Sequence, residues 1–188
     1  PNTSSAASDV YKRQVLISEE QKSKWIAAGG DPNKSVIIPV PVEVPDYGTE
    51  SYIEEFGWED KFVFGMHQRD DIHIFSPVPL EAYDDIQGED TAFLILGGSA
   101  NHRKQAKDYQ LKNVKFLDTT SDISLIHKFL NTLDVYAHGR SDGEQCSSAI
   151  IEGLSHSLPM ISHTAVSMGQ LEQIGNAGIV VDLSLIHI

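Results

Sequence analysis

The sequence predicts an α/β protein built on a mainly parallel sheet. Three observations predict it. Short apolar runs of strand length recur between Phe62 and Val181, helix-like stretches separate most of them, and the turns between are rich in glycine and small polar residues. Strands and helices that alternate along a chain favour βαβ units and a parallel sheet. The 188 residues, 40% of them hydrophobic, suffice for about one domain with a sizeable core and are too apolar for a disordered chain.

The elements follow in order. Residues 1–14, PNTSSAASDVYKRQ, have no apolar periodicity and lack the apolar stretch of a secretory signal; with LSLIHI at 183–188 they read as non-native-looking tails. Val15–Ser18 is a short apolar run, and Ser18-Glu19-Glu20-Gln21 carries a capping-box pattern. It opens a helix over Gln21–Ala28 that Gly29-Gly30 stops. Val36–Val44 alternates apolar residues with prolines at 39, 41 and 45. Proline removes ladder donors, so this is an extended linker or an edge segment. The acidic stretch 43–60 holds a short helix around Glu50–Phe56. Strands are expected at Phe62–Phe64, Ala92–Leu96, Val114–Leu117, Val135–Ala137, Met160–Ser162 and Ile179–Val181. Helices are expected at Leu80–Ile86, Arg103–Tyr109, Ile123–Leu133, Ser147–Ser155 and Met168–Ile174.

Composition excludes several functions. The formal charge is −13, from 14 basic and 27 acidic residues, with the cations scattered. A nucleic-acid partner needs a basic stripe that displaces counterions, so none is expected. The acidic balance also gives no support for binding anionic lipid. No run approaches the roughly 18 apolar residues that span a bilayer. Cys146 is the sole cysteine, which rules out an intramolecular disulfide and points to a reducing, cytoplasmic compartment. No metal-ligand spacing appears; His138, His156 and His163 are dispersed and read as core or surface residues. Neither G-x-G-x-x-G nor G-x-x-x-x-G-K-[ST] is present, which disfavours a dinucleotide oxidoreductase and a P-loop NTPase.

In such a sheet, ligands bind beyond the carboxyl ends of the strands. The residues there are Gly65-Met66-His67-Gln68-Arg69, Gly97-Gly98-Ser99, Asp118-Thr119-Thr120, His138-Gly139-Arg140 and His163-Thr164. Phe64-Gly65 and Gly97-Gly98 read as strand ends where a phosphate could approach the backbone. The most informative stretch runs from Gly139 to Glu152: a strand ends at His138, a polar loop follows, and a helix opens near Ser147. The free N–H groups and positive dipole end of that helix would face the crevice. Glu144 falls in the loop and Glu152 eight residues later in the helix. Either Glu144 caps the helix and Glu152 is a solvated surface residue, or both carboxylates accept sugar hydroxyls. Cys146 is either a small helix-start residue or a thiol nucleophile.

These residues resemble the nucleotide-sugar-binding half of retaining GT-B glycosyltransferases with a Glu-x7-Glu motif. Glu144 and Glu152 match the motif, and Ile150-Ile151-Glu152 with Leu158-Pro159-Met160-Ile161-Ser162 matches its flanks. Gly169, Glu172 and Gly178-Ile179-Val180 resemble its closing segment, and Asn113–Leu117, Leu133–Tyr136 and Val36–Pro41 resemble segments upstream. The resemblance implies a Rossmann-like, mainly parallel sheet with helices on both faces. It implies that 15–35 hold the last strand and helix of an acceptor domain, 36–60 a linker, and 61–182 the donor domain. It further implies a nucleoside-diphosphate sugar donor, a glycan or other hydroxyl acceptor, and no cofactor.

The residue roles it implies are these. Glu144 orients the transferred hexose, Glu152 holds the ribose, and amides near Ser147 and Ser148 meet the diphosphate. Apart from the resemblance, the strand-end reading adds Gly65, His67, Gly97 and Gly98 to the donor site, and Arg69, with Lys104 as a further candidate, to stabilise the leaving group. The chain departs from the family where Gly-Arg and a later lysine would stand: Met66 and Asp71 occupy two of those positions. That departure motivates one alternative, a non-catalytic nucleotide-sugar or carbohydrate-binding module; a related reading is a GT-B-like sugar-nucleotide epimerase. The isolated piece is expected to be inactive in transfer.

Overall fold

The structure, a computed structural model, describes residues 13–42, 46 and 48–183. The tail readings for 1–12 and 184–188, and the linker positions 43–45 and 47, lie outside them. The chain opens with strand β1 (Gln14–Leu16), helix α1 (Glu19–Ala27) and strand β2 (Ser35–Ile37). β1 and β2 pair in parallel, Val15 opposite Val36, so part of the expected linker is strand. α1 starts two residues earlier than its pattern suggested. Ser18 is extended and its Oγ accepts from Gln21 N at 3.1 Å, while the Gln21 amide oxygen accepts from Ile17 N at 2.8 Å, one residue before the cap.

After the short helix α2 (Ile53–Phe56) the α/β pattern holds throughout: β3 (Phe62–Gln68), α3 (Val78–Ile86), β4 (Thr91–Gly97), α4 (Ala100–Asp108), β5 (Val114–Leu117), α5 (Ile123–Leu130) and β6 (Val135–Ala137). Then come β7 (Gly143–Glu144), α6 (Ser148–Ser155), β8 (Met160–His163), β9 (Ser167–Met168), α7 (Gly169–Ile174) and β10 (Gly178–Val181). Six strands form one sheet in the order β10-β8-β6-β3-β4-β5, with every pairing parallel. The chain winds outward from β3 through β4 to β5, then returns to the other side of β3 and winds outward through β6, β8 and β10. The direction therefore reverses between β3 and β6. β7 and β9 form a separate parallel pair.

The core follows from the sequence. Ala92 to Leu96 are all buried, as an inner strand covered on both faces requires. Tyr83 of α3 packs edge-on against Phe64 and Phe93, while Phe129 of α5 meets His67, which projects from the opposite face of β3. α6 closes on Tyr136 and Met160 so tightly that a Cβ on Gly153 would lie 2.6 Å from Met160 Cε. α3 and the α5–α6 pair thus cover opposite faces. No helix among the described residues is long and apolar enough to cross a membrane.

One strand end is corrected. β3 does not close at Phe64-Gly65 but continues to Gln68, because Met66 buries and the ladder with β4 runs on to Gln68 opposite Gly97. Gly65 is an interior strand residue: a Cβ there would lie 2.5 Å from Leu133 Cδ2 and 2.6 Å from the Leu94 carbonyl. Its missing side chain makes room for Leu133, not for a phosphate.

Candidate active site

A cleft of about 330 Å³ opens beyond the carboxyl ends of β3 and β6. β3 supplies Met66, His67, Gln68 and Arg69; β6 and its loop supply Tyr136, His138, Gly139 and Arg140; Glu144 and the start of α6, Ser147 to Ala149 and Glu152, close the third side. This is where the sheet reverses direction. Two loops leaving adjacent strands there diverge to opposite sides, and the gap between them admits a ligand.

Glu152 enters from the second turn of α6. Its Oε2 accepts from His67 Nε2 at 2.8 Å, and the other ring nitrogen lies 3.1 Å from the Tyr136 hydroxyl. That hydroxyl also accepts from His67 N at 3.1 Å. Tyr136 is buried, and burial holds its phenol well above the usual range, so it serves as a fixed neutral post for the histidine.

Glu144 enters from β7, not from an irregular loop as its polar surroundings suggested. Its side chain is 18% exposed. Its Oε1 lies 3.6 Å from His138 Nε2 and 3.3 Å from Arg140 NH1. Burial by itself would raise the pKa of this carboxyl; His138, Arg140 and Ser147 outweigh burial and hold it below the usual value. Glu144 is therefore a carboxylate with charge and direction both fixed. His138 is buried, its Nδ1 3.0 Å from Ser162 Oγ.

The Glu144 strand is held from behind by α7. Glu144 N donates to Gln170 Oε1 at 3.0 Å, and Ser147 N donates to Gln173 Oε1 at 2.6 Å. The backbones approach closely. A Cβ on Gly143, at φ +70°, would lie 1.8 Å from the Ser167 carbonyl, and one on Gly169 would lie 2.1 Å from that of Gln145.

The cleft brings together His67, Arg69, Glu144, Ser147, Ser148 and Glu152. The three expected glycines stay out. Gly65 is inside the sheet, and Gly97 and Gly98 sit one strand away. The latter two adopt φ of +79° and +74° to turn the chain against β3, where Gly98 N donates to the Gln68 carbonyl at 2.7 Å. Ser147 is a cap rather than a diphosphate donor, because its N–H is taken by Gln173 and its Oγ accepts from Ile150 N at 3.4 Å. Ser148 and Ala149, the first two residues of α6, line the cleft, and the opening amides of a helix have no partner within it. Arg69 is at the rim, 68% exposed and 3.2 Å from Asp71. Lys104 pairs with Asp108 on α4 outside the cleft.

His138 is buried, as a core role requires, and it lines the cleft from the strand end. Tyr136, Gln170 and Gln173 carried no signal, since each acts through a contact that only the folded sheet creates. Cys146 Sγ accepts from Gln173 Nε2 at 3.2 Å.

No family profile and no curated protein matches the chain. Among solved structures, it is similar to Anabaena HepE in complex with UDP, at 19% identity and a TM-score of 0.77 over 91% of this chain and 50% of that one. HepE in complex with UDP-glucose gives 18% identity and a TM-score of 0.75. A glycosyltransferase from Rickettsia africae ESF-5 matches at 19% identity and 0.74, over 91% of this chain and 49% of that one. WaaG, a glycosyltransferase involved in lipopolysaccharide biosynthesis, matches at 15% and 0.68. The chain spans about half the length of these structures. The fold is that of the Rossmann-like domains of GT-B glycosyltransferases.

Proposed function

We propose that this chain is the donor-binding half of a glycosyltransferase that moves a sugar from a nucleoside diphosphate to an acceptor hydroxyl, with retention of configuration. One observation carries the reading: Glu144 and Glu152, eight residues apart, face one switch-point cleft together with the first amides of α6. Glu152, steadied by His67, offers its carboxylate to the paired hydroxyls of a ribose. The amides of Ser148 and Ala149 and the positive end of α6 receive the diphosphate, whose charge grows as the glycosidic bond breaks. Glu144, kept ionised and aimed by Arg140 and His138, accepts from a hydroxyl of the transferred sugar. The acceptor, a glycan or other hydroxyl compound, comes from a second domain. The complexes of HepE with UDP and UDP-glucose support a nucleotide-sugar ligand here.

The test is binding and turnover. Titration calorimetry of this chain with UDP and UDP-glucose is expected to give binding that Glu152→Ala weakens for both ligands and Glu144→Ala weakens for the sugar nucleotide only. No binding of any nucleoside diphosphate would end the reading. A binding-only module is favoured by one observation, the tie between Arg69 and Asp71, which pairs off one of the two arginines that line the cleft. Donor hydrolysis or transfer by the protein joined to its acceptor domain separates the two. Turnover that survives Glu144→Ala would remove Glu144 from catalysis.

A further inference from the structure

Two carboxylates outside the cleft cross between α1 and the β9–α7 corner. Glu172 of α7 accepts from the backbone N–H of Glu19 and of Glu20, each at 2.8 Å. These are the first two amides of α1. Glu20 reciprocates: its Oε2 accepts from Ser167 Oγ at 3.0 Å and from Met168 N at 2.9 Å, the residue just before α7. Each helix start receives a carboxylate carried by the other. A helix start offers unsatisfied N–H groups and positive potential, so both placements are favourable. Lys24 pairs with the other oxygen of Glu20 and fixes its side chain.

The exchange reaches the site through one step of strand pairing. β9 pairs with β7 so that Ser167 stands opposite Gly143 and Met168 opposite Glu144. The amide that Glu20 holds thus belongs to the residue facing Glu144 across the ladder. A second tie falls on the next residue, where Gln21 Nε2 donates to Gln145 Oε1 at 3.2 Å. We infer that Glu20 and Glu172 are positioning residues, a reciprocal clasp by which α1 fixes the place of Glu144 relative to the bound sugar. This rests on the reading of Glu144 as the sugar contact. The clasp also ties the first strand–helix unit to the donor domain at the point where a shift would be felt by the reacting sugar. Misplacement by about 1 Å is enough to impair a reaction.

The experiment uses the 188-residue chain, with UDP and UDP-glucose as probes and hydrogen exchange at the Glu144 amide as a ligand-free readout. In Glu20→Ala, UDP affinity is expected to stay within about twofold, while the advantage of UDP-glucose over UDP falls roughly fivefold or more. The Glu144 amide, which donates to Gln170, is expected to exchange faster. Glu20→Gln keeps an acceptor oxygen and is expected to restore most of both signals. Glu172→Gln provides the matching arm on α7, and circular dichroism reports whether each variant is folded. Unchanged exchange at Glu144 in folded Glu20→Ala, or an equal loss of both ligands, would overturn the clasp as a positioning device. A wild-type chain that binds UDP and UDP-glucose alike would overturn the sugar reading of Glu144, while the exchange data still decide whether the clasp holds the strand.

Discussion

At the scale of single residues, charge is set by neighbours rather than by type. Glu144 is held below its usual pKa of 4.5, against the opposing effect of burial, by His138, Arg140 and Ser147. His138→Phe, which keeps an aromatic ring and removes its nitrogens, is expected to move the Glu144 midpoint up, as read from its side-chain carbonyl resonance. An unmoved midpoint would leave Arg140 as the controlling partner. A second buried group makes the fold acid-sensitive. His102 of α4 accepts from Ser99 N at 3.0 Å through Nδ1, and burial lowers its pKa from 6.5 to about 4. The unfolded chain binds this proton near 6.5 and the folded chain does not until about 4, so the stability is present above 6.5 and lost as pH falls. Urea unfolding should show a loss of about 2 kcal/mol between pH 7 and pH 5 from this group. His102→Gln should flatten that slope. The Glu-x7-Glu spacing was legible because one carboxylate precedes a recognisable helix and the other falls within it. The part played by His138 was not, since it depends on the folded chain bringing its ring within 3.6 Å of the Glu144 carboxylate.

At the scale of elements, the short β7–β9 pair decides the geometry of the site, and pattern alone does not reveal it. Two-residue strands have no periodicity to read. Gly143 is required twice over, by its φ of +70° and by the Ser167 carbonyl beside it. Gly143→Ala is expected to destabilise the chain by about 2 kcal/mol or more and to abolish the advantage of a sugar nucleotide over UDP, measured by urea unfolding and calorimetry. A variant with full stability and full sugar preference would show that β7 is not the support of Glu144. The longer elements were legible within a few residues of their ends. β3 was the exception: glycine suggested a stop, but Gly65 sits where Leu133 needs its space.

At the scale of the whole molecule, function follows from the winding of the sheet. The reversal between β3 and β6 opens the crevice that His67, Glu144 and Glu152 line. A ligand there touches both halves of the sheet, so it binds the folded chain and not the unfolded one. UDP at 100 times its dissociation constant is expected to stabilise the fold by about 2.7 kcal/mol, raising Tm by roughly 5–10 °C for a chain of this size. Differential scanning fluorimetry reads this directly, and a flat response at saturating UDP would count against the site. Sequence alone determined the α/β class, the parallel sheet and the eight-residue spacing of the two carboxylates, because hydrophobic periodicity and helix-start chemistry are local. Tertiary structure decided what each carboxylate faces: His67 and Tyr136 for Glu152, His138 and Arg140 for Glu144, and the crossed Glu20 and Glu172 behind them. His67 stands 85 residues from Glu152 and Glu172 stands 152 from Glu20, and no local pattern records which elements a sheet will bring side by side.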